Sequence, residues 1–228
     1  MTIFLNERVI RFVPDYPDKA LPTDLIAKYS SVSEFRQVWL DFQRDEKFDT
    51  LIIIDKNTSK EFYEAGAIIS LNELSEFSGA FKIFLSFFKY VGAAGGLVKN
   101  EKSEFLFIFR LGFWDLPKGK IEKKDFCNNN LENVSRRAAV REVMEETGLD
   151  RVEIIRQLPC TWHIYEHKNK QVLKQTFWYE MAASSQLLLI PQTSEGIYLV
   201  KWTSPENLPS ILALTYRSLR ELLVPLVL

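Results

Sequence analysis

The chain has 228 residues, with 29 basic and 30 acidic side chains and a formal net charge of −1. That length allows one large domain or two small ones, and a 46% apolar content supplies a core, which excludes wholesale disorder. Near-neutral charge argues against a partner held by bulk electrostatics, so neither nucleic acid nor an anionic membrane is expected.

Two cysteines, Cys127 and Cys160, cannot build a disulfide framework, and no CxxC or Cys/His zinc spacing is present. They read as reduced thiols of a cytoplasmic protein. Glu7 and Arg8 interrupt the apolar run a signal peptide would need. The most apolar stretch, Phe81 to Val98, is broken by Lys82, Lys89 and a Gly-Ala run, so no membrane span is expected.

Residues 1–90 read as a small α/β N-terminal domain. Two short apolar runs around Asn6-Glu7 signal a hairpin within Met1–Val13. Phe35, Val38, Trp39 and Phe42 recur at helical spacing in Val32–Phe42, and Leu51–Ile54 is a buried-strand run. Leu71–Tyr90 reads as a helix through Phe81, Phe84, Leu85 and Phe88. The character changes at Val91, which begins a second domain, 91–228. A turn at Asn100–Ser103 leads into a strand, Glu104–Arg110, and Leu111–Lys124 is loop-like. Val134–Thr147 is a helix closed by Gly148. Strands follow at Val152–Leu158, Thr161–His167, Val172–Met181 and Ile197–Thr203, with a last helix at Pro209–Leu222. The interleaving predicts an α/β layered fold.

The helix 134–147 carries the chemistry. At about 100° per residue, Glu142, Glu145 and Glu146 share one sector, while Val140, Val143, Met144 and Thr147 form the core-facing one. Like charges three and four residues apart cost a few tenths of a kcal/mol per pair, roughly. Arg141 relieves part of this through an i,i+4 pair with Glu145. The plain alternative is a solvated acidic face. Upstream, Gly119 permits close backbone approach, so its carbonyl is a candidate cation ligand. Arg110, Lys118 and Lys120 are candidate phosphate-holding cations. Three carboxylates and a carbonyl suit a hard ion such as Mg²⁺ or Mn²⁺.

Gly119 followed by Arg141-Glu142-Val143-x-Glu145-Glu146-x-Gly148-Leu149 resembles the Nudix box, GX5EX7REUXEEXGU, in which U is a bulky apolar residue. The flanks Leu116–Lys120 and Ala138–Glu142 are similar to that family too. The resemblance implies a Nudix α/β/α sandwich around a mixed sheet. It also implies metal-dependent hydrolysis of a nucleoside diphosphate linked to another moiety. Glu142, Glu145 and Glu146 would hold the metal with the Gly119 carbonyl. Glu145 or Glu142 would orient or deprotonate water, and Arg141 would position the carboxylates. Glu195, before the last strand, is a further candidate ligand or base.

The loop departs from the family spacing. Gly119 to Arg141 is eight residues too long, with Lys123–Asn130 read as the insertion. Asp125 stands at the first motif acid's distance from Gly119. Asn133 stands at that distance from Arg141, next to Glu132, and Asn130 or Asn133 is a candidate helix cap.

Tyr165, on a strand face with Thr161, His163 and His167, resembles the tyrosine that dinucleoside polyphosphate hydrolases place beyond the box. Leu-Pro-Lys-Gly-Lys looks like that subgroup as well. Trp114 is a candidate for stacking on a base. A zinc site from His163 and His167 lacks a third ligand. Two functional readings stand: a pyrophosphohydrolase of a nucleotide or dinucleotide, and a Nudix-fold nucleotide sensor without turnover. Residues 1–90 are open to roles as a substrate lid, as a dimerisation element producing a homodimer, or as a binding module. The apolar C-terminus, Leu222–Leu228, is open to internal packing or an interface.

Overall fold

The structure is a computed structural model that describes residues 1–28, 31–56, 79–126 and 133–227. It divides into two compact units, one of Met1–Tyr90 with Trp162–Lys174, the other of Val91–Thr161 with Gln175–Leu228. The sequence boundary near residue 90 leaves 162–174 with the second domain, whereas the structure groups that segment with the first.

In the first unit, β1 (Thr2–Leu5) and β2 (Arg8–Val13) form the expected antiparallel hairpin, with Asn6 at φ 55° in its turn. Next come β3 (Asp24–Lys28), α1 (Val32–Arg44) and β4 (Thr50–Ile54), and β4 pairs in parallel with both β2 and β3. Ser31 Oγ caps α1 by accepting from Glu34 N at 3.3 Å. Phe35, Trp39 and Phe42 of α1 are buried, as their spacing predicts. They meet Phe81 and Phe84 of α2 (Gly79–Leu85), and Phe81 meets the Trp162 ring edge-on at 5.8 Å. The helix expected over Leu71–Tyr90 is confirmed only for α2: residues 71–78 lie outside the described residues, and Lys89-Tyr90 already begin a strand.

The second unit is a sheet between two helical layers. Its strands run in the order β11-β6-β5-β10-β9, with β7 on β6 and β8 on β5. These are β5 (Lys89–Lys99), β6 (Phe105–Arg110), β7 (Phe113–Asp115), β8 (Lys118–Lys120), β9 (Glu153–His167), β10 (Lys170–Ala182) and β11 (Ile197–Thr203). The Gly-Ala run is therefore a strand, because its small residues leave room for neighbours. A Cβ on Gly96 would stand 2.8 Å from Met181 Sδ and 3.2 Å from Val143 Cγ2, which places α3 (Val134–Thr147) on that face. On the opposite face Leu97, Phe105, Phe107 and Trp178 pack against α4 (Leu208–Ala213) and α5 (Arg217–Val227). Each such side chain contributes about 1.5–3 kcal/mol of burial. The two layers enclose the sheet as an α/β/α sandwich, the architecture expected.

Three expectations change. The strands 152–158 and 161–167 are one strand, β9, continuous through Pro159, which precedes the stretch where β9 pairs with β1, Ile3 with Trp162 and Phe4 with His163. The helix expected at Pro209–Leu222 is two, broken where Thr215 bridges to Trp114. The stretch Leu111–Lys124 holds β7, β8 and a 3₁₀ turn, Lys123–Asp125. Within the apolar C-terminus Leu222 and Leu223 are buried, with Leu226 and Val227 against the same cluster, while Val224 is 45% exposed. Among the described residues no helix is long and apolar enough to cross a membrane.

Candidate active site

Helix α3 ends as its sequence predicts: Gly148, at φ 77°, donates its N–H to Met144 O at 2.9 Å. Its start differs, because Asn133 takes the N-cap position without a capping side-chain bond, and Asn130 lies outside the described residues. The Ser135 and Tyr179 hydroxyls, buried and 2.7 Å apart, tie the first turn to β10.

The acidic sector is not a solvated face. Glu142 and Glu146 are buried and only Glu145 is exposed, while Val140 and Met144 are half-buried. The cause is β8, laid across the helix. A Cβ on Gly119 would stand 2.0 Å from Glu142 Oε2, so the carboxylate occupies the room that glycine leaves. One residue earlier, Lys118 N donates to Glu146 Oε2 at 2.6 Å. Arg110 Nη1 reaches Glu146 Oε1 at 3.4 Å. Burial raises the Glu146 pKa to about 7, against the pull of Lys118. Burial also raises that of Glu142, against the hydrogen bond from Arg141, with the Glu145 and Glu195 charges adding to it.

Arg141 is the hub. Its Nη1 donates to Glu142 Oε1 at 2.6 Å and to Glu145 Oε2 at 2.9 Å, so one nitrogen lies between two carboxylates. Its Nε and Nη2 grip both oxygens of Asp125 at 2.9 and 2.8 Å, and Nη2 also donates to Lys120 O at 2.9 Å. Such a forked pair is strong because both donors and acceptors are charged and coplanar. Hydrogen bonding to Asp125 raises the Arg141 pKa, and Asp125 is lowered despite its burial. Asp125 thus meets the arginine from the first motif acid's distance, which moves the extra residues from Lys123–Asn130 to the stretch after Asp125. A capping box between Glu122 and Asp125 fixes the turn that presents it.

The other candidates fall in varied places. Lys118 Nζ is buried on Asp115 Oδ2 at 2.5 Å. Burial opposes its charge, but Asp115 and Glu146 outweigh that and raise its pKa. Lys120 is exposed. Trp114 packs on Phe109 at 5.0 Å with Lys201 Nζ 4.5 Å over its ring. Tyr165 belongs to the first unit, between His163 and Lys174, and burial raises its pKa. Glu195 is exposed in the 3₁₀ turn Thr193–Glu195. The segment before it is bonded to the end of α3, through Ile190 N to Thr147 O at 2.8 Å and Gln192 N to Glu146 O at 3.3 Å.

The sequence reading passed over Asp115. Its only local signal is a carboxylate three residues before Lys118 in an otherwise apolar tetrapeptide, Phe113–Leu116. Among the described residues no three His, Cys, Asp or Glu side chains already stand together as a metal cage. The helix carboxylates are paired with protein cations instead, Arg141 on Glu142 and Glu145 and Arg110 on Glu146, which also accepts from the Lys118 backbone N–H.

The NUDIX domain family model matches residues 89–223. Solved structures similar to the chain include the MutT protein of Methanosarcina mazei Go1, with 22% identity over 60% of this chain and 93% of that one, at a TM-score of 0.42. Others are a C. elegans Ap4A hydrolase binary complex, with 22% identity, 59% and 93% coverage and a TM-score of 0.40, and the NUDIX domain of Shewanella oneidensis NrtR complexed with ADP ribose, with 18% identity, 68% and 94% coverage and a TM-score of 0.43. The matched span takes in β8, Asp125 and all of α3, and the chain belongs to the Nudix family.

Proposed function

We propose that the second unit is a Mg²⁺- or Mn²⁺-dependent pyrophosphohydrolase of a nucleoside diphosphate derivative, with a dinucleoside polyphosphate or nucleoside triphosphate as substrate. The observation that carries this reading is the pair Glu142 and Glu145 sharing one nitrogen of Arg141, with Gly119 against Glu142 and Glu146 held by the preceding residue of β8. The donor set fits a hard divalent ion: every ligand is oxygen, and one positive atom already lies between Glu142 and Glu145. Glu142, Glu145, Glu146 and the Gly119 carbonyl would hold it, with Glu195 as an added carboxylate. Such an ion polarises phosphate oxygens and lowers the pKa of water.

The chain's own groups do the rest. Arg141 holds Glu142 and Glu145 in fixed relation through Asp125. Glu145, the carboxylate open to solvent, accepts the proton of the attacking water at its oxygen. Lys120 offers an exposed ammonium to the phosphates, whereas Lys118 and Arg110 set Glu146 rather than standing free.

One observation favours the sensor reading: each box carboxylate is already satisfied by a cation of the protein. Phosphate release separates the two readings. Wild-type protein would be tested on diadenosine polyphosphates, nucleoside triphosphates, ADP-ribose and sugar nucleotides, with and without Mg²⁺, beside Glu145→Gln. Turnover that needs the metal and drops at least a hundredfold in the variant supports the hydrolase. Nucleotide binding without turnover on any of them makes it a sensor.

A further inference from the structure

The hairpin of β6 and β7 turns through Leu111 and Gly112, both at positive φ, 52° and 84°. Such turns favour Asn, Asp or Gly, and a leucine in that conformation is an outlier for its residue type. Leu111 is also 69% exposed, and Phe113, the residue after Gly112, is 40% exposed. A hairpin tip needs neither feature, since a polar residue would remove both the strain and the exposed apolar surface. Strain of this kind gathers at sites where a side chain is held for a purpose.

The register says which way the tip faces. Arg110 pairs with Phe113, so their side chains share one face of the hairpin, and Arg110 is the residue that reaches Glu146. Phe109 and Trp114 share the other face and cover each other. Phe113 stacks on Tyr216, with centroids 4.9 Å apart and planes at 29°. After burial, the charges of Asp115, Lys118 and Arg110 are what act on the Tyr216 hydroxyl, and Arg110 and Lys118 are the two residues bonded to Glu146.

We propose that Phe113, backed by Tyr216 and flanked by Leu111, is the platform on which the aromatic base of a nucleoside polyphosphate stacks. This rests on the nucleotide reading of the acid helix. A flat apolar ring, open on one side and next to a box carboxylate and its cations, matches a ligand that is planar at one end and polyanionic at the other. Trp114 and Tyr165 are not needed for this.

The test is equilibrium binding of ADP and of inorganic pyrophosphate, with Mg²⁺, to the full chain and to Phe113→Ala and Phe113→Trp. Stacking on one ring predicts that Phe113→Ala weakens ADP binding about tenfold. Pyrophosphate binding should stay within about twofold, and Phe113→Trp should restore ADP. Unchanged ADP binding in Phe113→Ala overturns the platform, as does an equal loss for pyrophosphate. Wild-type binding of pyrophosphate without preference for ADP overturns the platform and leaves the hydrolase. Binding of neither overturns both.

Discussion

The carboxylate of Glu142 fills the space that a side chain at Gly119 would take, with an added Cβ only 2.0 Å from Glu142 Oε2. The obstacle is the end of a flexible side chain rather than backbone, and Gly119 has no positive φ. Gly119→Ala should therefore fold, with its stability changed by less than about 1 kcal/mol. Phosphate release should fall at least tenfold, because Glu142 must swing away. A melting curve beside an activity assay checks this, and normal activity would show that the position of Glu142 is not critical.

Arg141→Lys keeps the charge but loses the fork on Asp125 and the shared nitrogen between Glu142 and Glu145. Asp125, with its side chain 4% exposed, is left badly paired. Urea unfolding should show a loss of about 2–4 kcal/mol. A loss under 1 kcal/mol would mean that the hub contributes little to the fold.

Glu146 carries a pH signature. Its folded pKa of about 7 lies above the ordinary carboxyl value, so the folded state binds its proton more tightly than the unfolded state. This contribution to stability is fully present below about pH 4.5 and is lost as pH rises through about 7. In chelator, the stability of wild type minus that of Glu146→Gln should fall across that window by on the order of 3 kcal/mol at most. A flat difference from pH 4.5 to 8 would contradict it.

Trp114→Phe should leave KM within about twofold, since its ring is held between Phe109 and Lys201. The cost should appear in the melting midpoint instead, at about 1 kcal/mol. A tenfold rise in KM would return Trp114 to the substrate.

The sequence exposed the features that depend on near neighbours. Helical spacing located α1 and α3, and Gly148 marked the end of α3 because its left-handed conformation is a local property. What stayed hidden depends on distant partners. Nothing near Pro159 shows that one strand runs through it. Nothing near Leu214 shows that Thr215 will bridge to Trp114 and split a helix. The burial of Glu142 and Glu146 follows from β8 lying across them, so counting charges around a helical wheel makes that face look wet. Asp125 could be placed by spacing from Gly119, but only its grip on Arg141 separates it from the inserted residues beyond.

The two backbone bonds from Ile190 and Gln192 to the last turn of α3 have a mechanical meaning. They fasten the irregular run before Glu195 onto the helix end, so the loop and the helix share one backbone joint. The exposed Glu195 is thereby anchored, three residues on from Gln192, to the same helix end that presents Glu146.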